Sequence, residues 1–368
     1  MNRFISQKFR FYSFVCIALL MFVHGYNLKE TYLTPSSLVS EPITFAGYLE
    51  YFVSNGLLRF RIPMLFMISG YIYALQDYKP YAERIKGRFI SLMIPFFIWS
   101  AIGLAITFWW QQYPITAPAV QNAKVDQLGD NRPYAELGWL EVIYRWIFTP
   151  PSYQLWFIRN LFVYNLLYPV FRWIVRKYPV PWFGLMFILM LFLFQFFVID
   201  AQGMFFFTFG IWLNKTNFPI DRKPAWFSSY LYWLIFLGLI FIKTFMAFEF
   251  ETHTPVTYWA MMTIHFLAAI AGVIAVWYSG DRIVRWFMNR KWFVWAASFS
   301  FVIFGLHVPL LNYVMSLAHM YGHNIPNYRL VSFILIPTFI LLFCIAIGAL
   351  VRALLPKFYG IATGGRGI

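Results

Sequence analysis

The chain has 368 residues, of which 61% are hydrophobic and only 12% charged, against about 25% charged in ordinary soluble domains. Fourteen acidic and 29 basic side chains are too few to coat a water-soluble fold of this length, so the composition excludes a soluble enzyme, a disordered chain and a fibrous protein. What remains is an all-α polytopic integral membrane protein, and 23% aromatic residues fit a surface that meets lipid and interface.

Ten apolar segments follow one another: 9–26, 48–75, 89–110, 155–171, 182–199, 203–213, 226–248, 258–278, 292–317 and 330–355. The sixth is too short to cross a hydrocarbon core of about 30 Å on its own. With the N-terminus and every second loop placed in the cytoplasm, twenty basic residues fall on that side. Lys29, Lys124, Arg132 and Arg329 fall in the loops of the other side, with Arg145 in the interfacial stretch 139–148. This asymmetry predicts about ten spans with both termini cytoplasmic. Residues 1–355 are expected to form one membrane domain and 356–368 a short cytoplasmic tail. The first segment lacks the small-residue cleavage pattern of a secretory signal and is read as an uncleaved helix. The longest outer loop, 111–138, is followed by a helix-like stretch at 139–148, which is expected to lie along the interface until Thr149-Pro150-Pro151 breaks it.

Ionisable residues inside spans are expensive and mark candidate sites. They are His24, Arg59, Arg61, Arg159, Lys243, His265 and His307. His24 lies 14 residues beyond Arg10, or about 21 Å at the helical rise. By the same rise Arg61 and Arg159 lie about 24 and 20 Å from the cytoplasmic markers Asp77 and Arg172, and His307 about 22 Å beyond Trp292. Four segments thus bring a cation or an imidazole to one outer layer. On the first helix, Arg10 and Ser13 fall within about 40° of His24. One face therefore carries a cation at the inner mouth and an imidazole near the outer one, which suits a ligand with an anionic head and a long arm such as acyl-CoA.

Each residue also has a plainer reading. A histidine in a span can be an interhelical hydrogen-bonding residue rather than a base. Arg59 and Arg61 stand about 200° apart, so only one of them can face a given cavity, and Arg61 is preferred. Arg159 can anchor its helix on aromatic rings. Lys243 and His265 are expected to be structural. His253, His319 and His323 lack metal-ligand spacing, and no metal site is expected. Cys16 and Cys344 sit in apolar runs as small hydrophobes. No phosphate-binding glycine loop, dinucleotide fingerprint or zinc-hydrolase motif occurs, and no basic patch on a soluble fold suggests nucleic acid. At this point an enzyme and a transporter or flippase of a glycan or lipid intermediate both remain open, although no inverted repeat is visible.

Several segments together resemble the acyltransferase-3 family of integral membrane acyltransferases. FRFYSFVCIALLMFVHGYN is similar to its first helix, with His24 at the family's essential histidine. RFRIPMLFMISGYIY, GRFISLMIPFFIWS, QLWFIRNLFVYNLLYP, FFFTFGIWL and SFSFVIFGLHVPLL are similar to later segments in the same order. The resemblance runs from about residue 9 to 350. It implies transfer of an acyl group, often acetyl, from cytoplasmic acyl-CoA to a hydroxyl of a carbohydrate or surface glycan. Acetyl-CoA is then a donor substrate rather than a resident cofactor, and the protein sits in the cell (inner) membrane. His24 would act as general base or acyl carrier. Arg61 and Arg159 would stabilise developing negative charge or bind an anionic acceptor. Arg10, Ser13, Lys86 and Arg88 would line the CoA phosphates. Tyr153, Trp156 and His307 would contribute to substrate binding, with Trp139 and Tyr144 as further aromatic candidates. One departure stands out: the family usually has Arg eleven positions before this histidine, where Ser13 stands here, and Arg10 is one turn nearer the cytoplasm. An inactive relative serving as a scaffold is the third possibility.

Overall fold

The computed structural model describes residues 2–26, 33–130 and 132–367. Lys29, expected among the outer basic residues, lies outside the described residues. The chain folds almost wholly as helix. In order these are α1 (Arg3–His24), α2 (Phe45–Tyr51), α3 (Arg61–Ala74), α4 (Tyr81–Arg88), α5 (Ile94–Gln111), α6 (Ala117–Ala123), α7 (Trp139–Ile147), α8 (Trp156–Leu166) and α9 (Tyr168–Lys177). They continue with α10 (Pro179–Leu191), α11 (Ala201–Lys215), α12 (Ser229–Glu249), α13 (Pro255–Ser279), α14 (Asp281–Met288), α15 (Lys291–Ala297), α16 (Ser300–Gly322), α17 (Tyr328–Leu354) and α18 (Pro356–Ala362). Among the described residues the sheet is a single antiparallel pair, Gln195–Phe196 with Ile199–Asp200.

Local chemistry sets the helix starts. Asn2 accepts the Phe4 N–H with its side chain, and Asp200 and Ser228 do the same for Gly203 and Leu231. Thr254 and Thr257 form a reciprocal box ahead of α13, with Pro255 at the first helical position. Among the described residues seven helical stretches are long and apolar enough to span a bilayer: Arg3–His24, Phe45–Ala74, Tyr81–Gln111, Ser229–Glu249, Pro255–Ser279, Ser300–Gly322 and Tyr328–Leu354. An eighth arises if α9 and α10, bent by 117° where Pro179 follows Tyr178, count as one broken span. The expected fourth, fifth and sixth spans fall on helices of 10–15 residues, and the count of ten is not reached by length and composition. Outward residues such as Phe241 and Phe245 on α12 and Leu335 and Phe339 on α17 leave apolar faces for lipid.

The chain divides into two compact units. Unit 1 comprises Met1–Ile85 and Val163–Val294. Within it α3 crosses α11 at very close range, because Gly70 and Gly210 face each other's backbones. A Cβ on Gly70 would fall 2.0 Å from the Phe207 carbonyl oxygen, and one on Gly210 2.0 Å from that of Met67. Small residues that let backbones meet are the usual device for joining helices in lipid. At one end of the unit Asp77 gathers Arg84, Arg172 and Lys215 at 2.8, 3.2 and 2.6 Å. Burial works against its charge, but hydrogen bonds from Lys215 and Tyr168 hold its carboxyl below the ordinary aspartate range.

Unit 2 comprises Lys86–Phe162 and Trp295–Ile368. It packs α16 against α5, α6 and α17. The residues expected as a short tail contribute to this packing: the Trp99 indole donates to the Ala362 carbonyl at 2.8 Å, and Arg366 donates to the Ser91 carbonyl at 2.8 Å. The stretch expected along the interface is α7, whose Trp139, Leu140, Ile143 and Tyr144 face outward while Arg145 points inward and is 2% exposed. That inverted polarity suits a helix with its apolar face in the headgroup region.

Candidate active site

In unit 1, His24 is the last residue of α1 and is half-buried, with Gly25 closing the helix through an N–H to the Met21 carbonyl. The second span does not continue as a regular helix beside it. Between α2 and α3 the backbone passes through a π-helical turn at Phe52–Gly56 and a 3-10 turn at Leu57–Phe60. The Ser54 hydroxyl ties this break to α1 by donating to the Phe22 carbonyl at 3.0 Å. Irregular turns of this kind recur at functional positions and re-aim the residues that follow.

The residue re-aimed here is Arg61, the first of α3. It is 2% exposed, its Nε donates to the Leu58 carbonyl, and one terminal guanidinium nitrogen is buried without a partner among the described residues. Arg59 is half-buried and donates to the Leu33 carbonyl instead. The two arginines thus donate to different carbonyls, although the irregular turn between them breaks the helical geometry from which their 200° separation is reckoned.

Lys243 and His265, expected to be structural, serve that break directly. The Lys243 ammonium donates to the Asn55 carbonyl at 2.7 Å and to its side-chain oxygen at 3.1 Å, and lies 2.9 Å from His265 Nδ1. Both side chains are almost completely buried. A carbonyl released by a broken helix needs a donor inside a bilayer, and Lys243 supplies it. Sequence reasoning missed Ser54 and Asn55, although polar Ser-Asn-Gly inside an apolar run is a legible sign of a break.

The four residues expected to meet CoA phosphates do not all belong to one unit. Arg10 and Ser13 belong to unit 1, Lys86 and Arg88 to unit 2. Arg10 is exposed and donates to the Val294 carbonyl at 2.8 Å, and Ser13 is half-buried. Lys86 is exposed and Arg88 half-buried. Nearby in unit 1 a cavity of about 300 Å³ is lined by Phe9, Tyr71, Trp212, Trp226, Trp277 and Tyr278 among others. Such walls suit an apolar or planar group and offer little to a phosphate.

In unit 2, His307 is fully buried on α16, and its Nδ1 lies 2.8 Å from the Ile303 carbonyl. A carbonyl can only accept, so Nδ1 carries the proton and Nε2 presents a lone pair in the neutral ring. The next residue, Val308, leaves helical geometry ahead of Pro309. Gln154 donates to the Phe304, Gly305 and Val308 carbonyls at 3.1, 3.2 and 3.4 Å, and Ser152 to Val308 at 3.0 Å. Neither residue had been singled out from the sequence. Tyr153 accepts from the Asn312 amide at 3.3 Å, and Trp156 is half-buried. Arg159 is half-buried and donates to the Phe148 carbonyl at 2.6 Å, closing the end of α7. Among the described residues no group of three or more His, Cys, Asp or Glu side chains could hold a metal.

The loop from α5 to α7 is locked by charge. Arg145 reaches Asp126 and Asp130 at 2.8 and 2.9 Å, and Arg132 reaches Asp130 and Glu141 at 2.8 and 2.6 Å. Hydrogen bonds from the Arg132 side chain and backbone hold the Asp130 carboxyl far below its ordinary range. The Gly138 N–H and the Arg132 side chain lower the Glu141 carboxyl from its ordinary range.

A polytopic bundle in which the helix ending at His24 is bonded to the break before buried Arg61 is the setting in which the comparison with known proteins is decisive. The Acyltransferase domain family (Acyl_transf_3) matches residues 7–353. The chain belongs to this family. It is a multi-pass membrane acyltransferase. It is also similar to the succinoglycan biosynthesis protein ExoH of Rhizobium meliloti (strain 1021), with 26% identity over 327 residues, covering 87% of this chain and 82% of that protein. No solved structure matches the acyltransferase.

Proposed function

We propose that this acyltransferase moves an acyl group, in the first instance acetyl, from cytoplasmic acyl-CoA to a hydroxyl of a glycan on the far side of the cell (inner) membrane. The observation that carries the reading is the bond of Ser54 to the last turn of α1, which joins the His24 helix to the break presenting buried Arg61. The name of the similar succinoglycan biosynthesis protein supports a glycan as the acceptor.

In this reading the His24 imidazole takes the proton of the acceptor hydroxyl as its oxygen attacks the thioester carbonyl. The carbonyl oxygen gains negative charge, which the Arg61 guanidinium stabilises through its unpartnered N–H groups. The carbon–sulfur bond then breaks, and the departing thiolate recovers the proton from the imidazolium. The ester stays on the glycan and free CoA leaves. Arg159 has a charge-stabilising role in the same reading. Arg10, Ser13, Lys86 and Arg88 would hold the donor's phosphates, and Tyr153, Trp156 and His307 would hold the acceptor.

The test uses proteoliposomes with radiolabelled acetyl-CoA and surface polysaccharide from the producing cell. Wild-type protein is expected to label the polysaccharide. His24→Ala is expected to lose labelling by at least about a hundredfold, with unchanged insertion and gel-filtration profile. Full labelling by His24→Ala refutes the role of the histidine. Movement of unlabelled glycan without ester formation refutes the reaction.

A further inference from the structure

The outer-loop region of unit 2 holds a second cavity, of about 240 Å³, distinct in character from the aromatic one in unit 1. Its lining includes Gln111 at the end of α5, Gln121 of α6, and Lys124, Asp126, Asp130 and Tyr134 of the loop that follows. We infer that this cleft is a subsite for one neutral sugar residue of the acceptor glycan. The inference rests on the glycan reading above and assigns that acceptor a place.

Rigidity is the first argument. A polar loop of this length would ordinarily be mobile, yet buried Arg145 clamps both carboxylates from behind, and the Tyr134 N–H donates to the Gln111 side-chain oxygen at 2.8 Å. The Asp126 side chain also accepts the Leu128 N–H at 2.8 Å. Recognition groups held this way lose little entropy on binding.

Chemistry is the second. A sugar hydroxyl both donates and accepts, so its site needs both kinds of partner. The carboxylates of Asp126 and Asp130 keep accepting lone pairs beyond their ion pairs. The Gln111 amide nitrogen, the Gln121 amide and the Lys124 ammonium donate to nothing else among the described residues. Val120, Val125 and the Tyr134 ring supply an apolar wall for the C–H face of a pyranose. The volume lies below the ~300–1,000 Å³ of sites that enclose a drug-sized ligand, which fits one ring rather than a chain.

Charge is the third. Asp126, Asp130 and Glu141 are matched in number by Arg132, Arg145 and Lys124. A phosphate or uronate would need a surplus of cations, and a divalent metal would need carboxylates not already claimed by arginine. Neither condition is met, so an uncharged sugar is the ligand that fits.

The experiment uses the full chain in nanodiscs, with neutral and uronate-containing oligosaccharides prepared by depolymerising the producing cell's surface polysaccharide. Gln121→Ala removes a side chain that has no hydrogen-bond partner among the described residues. Lys124→Gly suits the backbone, since φ is +48° there and glycine adopts that region freely. The double variant is expected to raise the acceptor KM, and the Kd measured by calorimetry for the neutral oligosaccharide, about tenfold. The donor KM and the acceptor-independent hydrolysis of acetyl-CoA are expected to stay unchanged. Unchanged acceptor affinity overturns the inference, as does equal or tighter binding of the uronate oligosaccharide. A parallel fall in donor hydrolysis would mark a structural effect and overturn it too. If the wild type binds the neutral oligosaccharide but transfers nothing to it, the cleft stands and the proposed reaction falls.

Discussion

The crossing of α3 and α11 makes a quantitative prediction about how unit 1 holds Arg61. Gly210→Ala would place a methyl carbon 2.0 Å from the Met67 carbonyl oxygen and 2.8 Å from the Tyr71 nitrogen. Carbon and oxygen in close backbone contact settle at about 3.3–3.6 Å, so the helices must part by more than about 1 Å at this point. A gap of 0.5–1 Å forfeits roughly a quarter to a half of each dispersion contact, and overpacking of this kind costs about 1–3 kcal/mol. Gly238→Ala in α12 is the matched control, because nothing lies within 4 Å of the place its methyl group would take. There the change is expected to stabilise by about 0.5–1 kcal/mol through helix propensity alone. Thermal unfolding in detergent, followed by fluorescence-detected size exclusion, should move the two variants in opposite directions. Since α3 begins at Arg61, Gly210→Ala is also expected to lose turnover among the molecules that remain folded. Equal stability of the two variants would refute the account of the crossing.

Lys243→Met removes the donor for both Asn55 oxygens, and is expected to destabilise unit 1 by about 1–3 kcal/mol. Acyl transfer should fall with it, and chemical denaturation beside an activity assay checks both. Gln154→Leu leaves the Phe304 and Gly305 carbonyls without that side-chain donor, and a loss of about 1–3 kcal/mol is expected in the same measurement. Acid should weaken unit 1 through Asp77. Its folded carboxyl titrates below the unfolded value near 3.9, so its contribution is complete above that value and disappears as pH falls through the lower folded one. An unfolding profile from pH 6 to pH 3 should flatten in Asp77→Asn.

Composition and charge asymmetry were enough for the class of fold, and period alone was enough for α7, whose predicted stretch 139–148 matches Trp139–Ile147. The short helices α8 to α11 were harder, since a hydropathy window cannot tell a full crossing from a bent one. Residues 48–75 read as one uninterrupted span because Phe52, Val53, Leu57 and Leu58 keep the window apolar straight through the break. The lock around Arg145 was invisible for another reason. Its partners Asp126 and Asp130 lie 19 and 15 positions away across a loop, a separation no helical or strand period connects. His24 and Arg61 were legible as isolated ionisable residues in apolar runs. Lys243 was legible in the same way, but its partner Asn55 lies 188 positions away on another helix, so what it supports had to come from the structure.

Both units carry a broken helix, and the two breaks are resolved in the same way. In unit 1 the π turn before Arg61 frees the Asn55 carbonyl, and a lysine from α12 satisfies it. In unit 2 the departure at Val308 beside His307 frees three carbonyls, and Gln154 and Ser152 satisfy them. Hydrocarbon offers no hydrogen bonds, so each break costs several kcal/mol unless a polar side chain is brought to it from another segment of the same unit. A regular helix would need no such supply. Both interruptions sit within a residue or a few of a buried ionisable group, Arg61 in one and His307 in the other, and under the proposed reaction the breaks aim those side chains. Under that reading Lys243, Asn55, Gln154 and Ser152 act as positioning residues, and their loss is expected to lower turnover more steeply than it lowers the fraction of folded protein.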